Sequence, residues 1–150
     1  MCHQSCRSIS RLFIAALFLP GVAFAGELTI EVRGLRDDAG FLRIAVYGAE
    51  EDFLNPTRML AGVMLNLRVI EKQNGTVTVT LGAVRPGRYA VSTYHDENGD
   101  GQLDTNALGI PTEARGFSRA AKGRFGPPSF ADASFPVGDE PVRERLTIEY

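Results

Sequence analysis

Between His95 and Asp104 the chain reads HDENGDGQLD, with four carboxylates, one asparagine and two glycines in ten residues. Counted from Asp96, side-chain oxygens fall at the first, third and fifth positions: Asp96, Asn98 and Asp100. Gly101 follows where the chain must bend, Gln102 can offer its backbone carbonyl, and Asp104 stands at the ninth position. Alternate residues of a tight loop aim their oxygens at one centre, and calcium takes six to eight oxygens at roughly 2.3–2.6 Å. Magnesium tolerates such irregular loops poorly and keeps its waters. The spacing therefore points to Ca2+. The twelfth position is Ala107, where an EF-hand supplies a bidentate glutamate, and the flanking residues read as strand rather than helix. The expectation is an EF-hand-like loop set between strands, with Glu113 as closing ligand if the chain folds back.

Two other readings stay open. Asn-Gly and Asp-Gly are strong turn dipeptides, so the loop could be a solvated turn. Four uncompensated carboxylates in one turn would repel one another, which is the argument for a cation. His95 beside Asp96, with Glu113 and Arg115 further on, could instead serve as the general base of a small hydrolase. No G-x-S-x-G or H-E-x-x-H motif accompanies it. A lone histidine at a strand end is more often a hydrogen-bonded structural residue.

The elements that would position this loop are strands. In LTIEVRGL, Leu28, Ile30 and Val32 alternate with Thr29, Glu31 and Arg33, the pattern of a half-buried strand. Phe41–Tyr47 follows after the turn RDDAG, with Leu42, Ile44 and Val46 on one face, and the two segments read as a hairpin. Strands are also expected near 63–71, over TVTVTL after the turn KQNG, over RYAVSTYH, around 133–137, and over 142–150 with Val142, Leu146 and Ile148 as core candidates. Asn74-Gly75-Thr76 matches a glycosylation acceptor but reads better as a hairpin turn. Residues 105–129 show no regular pattern. About seven short strands separated by turn signals predict an all-β fold, a single antiparallel sandwich.

The first residues read differently. Arg7 and Arg11 precede the apolar run LFIAALFL, which Pro20-Gly21 breaks before the small-x-small sequence AFA ending at Ala25. This is the pattern of a secretory leader over 1–25, too short to span a bilayer. The expectation is a periplasmic or secreted domain over 26–150, with no membrane span after cleavage. Cys2 and Cys6 both lie in the leader, so the domain uses no disulfide. Two of the 16 basic residues leave with it, so 14 face all 18 acidic ones and the net charge becomes −4, which argues against nucleic-acid binding.

Two irregular segments remain. Residues 114–131 hold Arg115, Arg119, Lys122 and Arg124 interleaved with Phe117, Phe125 and Phe130, and contain a single carboxylate-free run up to Ala131. They could contact an anionic glycan, a lipid surface or an envelope protein; the plainer reading is a solvated loop whose phenylalanines tuck onto the sandwich. Residues 49–61, with Phe53, Leu54, Met59 and Leu60, form a second candidate wall for a groove.

On PGRYAVSTYHDENGDGQLD, GIPTEARGFS and FGPPSFADASF the chain resembles DUF2141, a family of exported bacterial proteins of unknown function. The likeness covers 27–150 and implies a small secreted or periplasmic β-sandwich, without implying an activity. The arrangement of PGRYAV and the acidic loop is also similar to prealbumin-like and Cna-B-type domains, some of which bind calcium at such a loop. The tail LTIEY lacks the C-terminal tetrapeptide of transthyretin-related hydroxyisourate hydrolases, so that activity is not expected. The reading is an envelope binding or structural module with Asp96, Asn98, Asp100, Gln102, Asp104 and Glu113 as calcium ligands. The alternatives are a hydrolase using His95 and a metal-free module binding a glycan or small molecule.

Overall fold

The computed structural model describes residues 26–150, so the expected leader lies outside the described residues. Eight strands run in chain order as β1 (Gly26–Arg33), β2 (Phe41–Tyr47), β3 (Ala61–Asn66), β4 (Val77–Val84), β5 (Gly87–Asp96), β6 (Arg115–Phe117), β7 (Phe135–Val137) and β8 (Val142–Thr147). They form a three-stranded sheet, β4-β1-β8, and a five-stranded sheet, β3-β2-β5-β6, with β7 paired to β5. One short helix, α1 (Phe130–Ala133), is capped by the Ser129 hydroxyl accepting from the Asp132 amide. No helix among the described residues is long and apolar enough to cross a membrane.

The alternation read from the sequence holds. Leu28, Ile30 and Val32 of β1 and Leu42, Ile44 and Val46 of β2 are buried, and they meet Val77, Val91, Leu146 and Ile148 in one inter-sheet core. The expected hairpin between β1 and β2 does not form. β1 pairs with β4 and β8, whereas β2 pairs with β3 and β5 in the other sheet. Alternation says that a strand has a buried face, not what covers it; here the two strands, in different sheets, bury their faces in the core between the sheets. The crossing succeeds because Gly34 and Gly40 take positive φ, and a Cβ on Gly40 would stand 2.0 Å from the Asp96 carbonyl oxygen.

The sandwich is not wholly antiparallel, since β8 runs parallel to β1. Glu31 of β1 ties the pair by accepting from both Arg143 and Arg145 of β8, which holds its carboxyl below the usual range. The third strand stops at Asn66, whose side chain accepts from the Arg68 amide and turns the chain before 71. Asn74 and Gly75, at φ 51 and 73, make the expected tight turn. β6 lies inside the stretch that shows no sequence pattern. Three residues are too few to display a period, and Gly116 is chosen by close approach, because a Cβ there would meet the Thr147 carbonyl at 2.5 Å.

Beyond β6, Ser118 is fully buried and joins three segments. Its hydroxyl oxygen accepts from the Val91 amide at 2.8 Å and donates to the Ala133 carbonyl at 2.6 Å. Ser118→Ala leaves a buried amide unmatched, so chemical denaturation is expected to show a loss of about 1–3 kcal/mol. A loss no larger than that of an exposed Ser→Ala control would remove this role.

Candidate functional site

Asp96 closes β5 on the outward face of the five-stranded sheet, and it has no exposure at all. Burial of a carboxylate demands charge and hydrogen bonds. Its Oδ2 accepts from Arg43 Nε at 2.5 Å and from the Gly101 amide at 3.1 Å, and Oδ1 accepts from the Gly99 amide at 2.8 Å. Gly99 and Gly101, at φ 78 and 87, supply the sharp bends that bring those amides inward. Asn98 and Asp100 make successive Asx turns, each oxygen accepting from the amide two residues on, and Asn98 Nδ2 donates to Asp104 at 2.9 Å.

Glu113 does fold back on the loop. Its two oxygens accept from the amides of Glu97 at 2.9 Å and Asp104 at 3.2 Å. All the residues expected as ligands thus belong to one compact turn, but their charges are met by a guanidinium and backbone amides. Among the described residues, no three His, Cys, Asp or Glu side chains converge as a metal-ligating group. Gln102 lines the adjoining cleft described below.

His95 points the other way along β5, into the interior. Its Nε2 lies 2.7 Å from the Ala39 carbonyl and its Nδ1 2.7 Å from the Tyr150 hydroxyl. The carbonyl can only accept, so Nε2 carries the proton. The Tyr150 hydroxyl then donates to Nδ1 while accepting from the Arg36 amide at 3.0 Å. Both ring nitrogens are occupied, and neither Asp96 nor Glu113 is a partner. The ring serves as a polar bolt between the start of β2 and the C-terminus, with the Arg36 guanidinium stacked 4.5 Å over the Tyr150 ring.

The other notable feature is a cleft of about 1260 Å³ on the outward face of the five-stranded sheet, beside the loop. Strand register lays down its floor. Gly62, Ala45, Ser92 and Phe117 stand opposite one another across four strands, and Met64, Arg43, Tyr94 and Arg115 form the next row. Three small residues side by side leave a trough where a sheet of β-branched residues would be filled. The two irregular segments build the walls and do meet, for Phe53 packs edge-on between Tyr47 and Phe130 at centroid distances of 5.5 and 5.8 Å. Leu54 on one wall is held at φ 63, a conformation costly for a branched side chain. Burial pushes the Tyr94 phenol above its usual value, against the pull of Arg43; its hydroxyl donates to the Gly101 carbonyl at 3.0 Å.

The basic segment is not one cationic patch. Lys122 pairs with Glu149 at 2.7 Å, Arg119 turns to the Ser134 carbonyl, and Arg115 enters the cleft. Phe117 and Phe130 are half-buried as expected. Phe125 does not tuck in; it stands fully exposed at the rim, at 102 %. Sequence reading missed Arg43, Tyr94 and the small-residue trough. The outward alternation of β2 and β5 contained them, but an outward arginine ordinarily signals only solvent.

The loop's acids should separate sharply on substitution. Asp96→Ala strands Arg43 and two amides and is expected to cost about 3–5 kcal/mol, whereas exposed Asp100→Ala loses one turn hydrogen bond, about 1 kcal/mol or less. Equal losses in urea titrations would contradict the anchoring role of Asp96.

No curated protein and no solved structure matches the chain. A family model does, over residues 30–145, most of the chain. With that match added to the eight-stranded sandwich, the chain belongs to DUF2141, described as an uncharacterized protein conserved in bacteria.

Proposed function

We propose that the protein is an exported binding module of the cell envelope whose ligand site is the cleft on the outward face of the five-stranded sheet. One observation carries this reading. Of the eight large hydrophobic side chains exposed among the described residues, five line this single cleft: Met59, Met64, Leu108, Ile110 and Phe125. Scattered exposed hydrophobics need no explanation, but a contiguous apolar patch in a concavity is the usual form of a binding site. The volume exceeds the roughly 300–1,000 Å³ of common small-molecule sites, as befits a trough open on one side. Export rests on the leader pattern of residues 1–25. The basic segment contributes to this site through Arg115, which supports a ligand in the cleft over a polyanion spread along the loop.

A neutral solvatochromic dye such as Nile red tests the reading. Saturable binding is expected, and Ala45→Trp or Ser92→Trp, which fill the trough, should weaken it about tenfold or more with circular dichroism unchanged. Dye binding indifferent to both variants would overturn the assignment.

Calcium at the acidic loop is the second reading, favoured by the return of Glu113 onto the turn that holds Asp96, Asn98, Asp100 and Asp104. Binding would require Asp96 and Glu113 to exchange present partners for the ion, ordering 95–118 further. Calorimetric titration with Ca2+ should then give heat, and the folded state should be stabilised relative to chelator by about 2.7 kcal/mol at a hundredfold excess over Kd, read as a higher Tm. Absence of both leaves the loop a self-closed turn.

A further inference from the structure

Taking the cleft as the ligand site, we infer that its ligand is a long-chain monocarboxylate: one carboxylate head on an extended apolar tail. The inference rests on how charge is distributed. The described chain is rich in acids, yet the cleft is lined by two arginines, Arg43 and Arg115, and by no aspartate or glutamate. The two stand in one row on either side of Tyr94, opposite it in register on β2 and on β6. Neighbouring strands lie about 4.8 Å apart, so the two arginine backbones are roughly 10 Å apart, within reach of a common point over Tyr94.

Their charges are not spent alike. Arg43 gives Nε to Asp96, and its terminal nitrogens lie toward Gly101 at the mouth of the cleft; its side chain keeps 26 % exposure. No carboxylate comes within salt-bridge distance of Arg115 among the described residues. Asp96, Asp100 and Glu113 also act on Tyr94 from the loop side, so what distinguishes this end of the trough is one guanidinium, Arg115, with no carboxylate at salt-bridge distance among the described residues. That matches a head with one negative charge and two acceptor oxygens, the geometry a guanidinium fork grips best. Along the trough from this row come Ala45, Ser92 and Gly62, beneath walls bearing Met59 and Phe125, which offer ample surface for methylenes, while Gln102 and Thr105 also line the cleft. A polyanion would need more than one free cation.

Dodecanoate and dodecanol, kept below their aggregation concentrations, share a tail and differ in the head. Displacement of Nile red from the full chain should be at least about tenfold tighter for dodecanoate. Arg115→Gln should abolish most of that preference while leaving dodecanol within about twofold, and Ala45→Trp should weaken both. Equal displacement by acid and alcohol, both lost in Ala45→Trp, would overturn the head-group inference and keep the cleft. Tighter binding of dodecyl phosphate than of dodecanoate would also overturn the carboxylate assignment. If neither amphiphile displaces dye that Ala45→Trp does exclude, the long-chain ligand is wrong although the cleft is a site. Displacement unaffected by Ala45→Trp would remove the cleft itself.

Discussion

A carboxylate removed entirely from water needs a cation and directed donors, and around Asp96 the chain supplies both. Arg43 reaches diagonally across the sheet to it, while Gly99 and Gly101 fold their amides back onto its oxygens. Loss of these partners would leave the charge buried and uncompensated, so the turn, the strand end and the arginine hold one another in place. The consequences spread outward. Because the loop is anchored, Gly101, Gln102 and Leu103 form a wall instead of a floating tip, and the Tyr94 hydroxyl has a fixed carbonyl to donate to. Because Arg43 is anchored, its remaining nitrogens stay at the end of the cleft.

The two faces of β5 divide the labour. Inward, Val91, Thr93 and His95 join the core, and the His95 ring links the Ala39 carbonyl to the C-terminal Tyr150 through a fully matched chain of hydrogen bonds. A polar group in that position costs little only because every donor and acceptor has a partner. Outward, Ser92 and Tyr94 belong to the trough. The apolar burial that stabilises the sandwich comes from between the sheets, so the outward face is free to leave Met64, Ile110 and Phe125 in contact with solvent. That exposed apolar surface is what the ligand proposed above would cover.

Much of this was legible beforehand, though unevenly. Leu28, Ile30, Val32, Leu42, Ile44 and Val46 announced their faces by period two, and all six are buried. The loop from Asp96 to Asp104 is visible in the sequence as a single unit, whereas the sequence offers Glu113 as its closing residue only on the condition that the chain folds back. Hidden were the partners. Nothing in the ten residues HDENGDGQLD distinguishes Asp96 from Asp100, yet one is sealed beneath the loop and the other is exposed, because only the last strand residue lies under the chain that follows it. The cations that meet acids of this stretch, Arg43 on Asp96 and Arg36 on Glu97, stand 53 and 61 residues earlier in the chain.

By itself the sequence determined local facts: which residues alternate, that the chain bends sharply at Gly101, and where short polar side chains can close a turn. These depend on neighbours a few residues apart, whose chemistry is written side by side. Tertiary structure alone decided that β1 and β2 lie in different sheets, that β8 runs parallel to β1, and that Gly62, Ala45 and Ser92 align into a trough between two loops. Those outcomes are set by which strands pair and in what register. Register follows from the sum of many long-range contacts, none of which leaves a mark on any short stretch of chain.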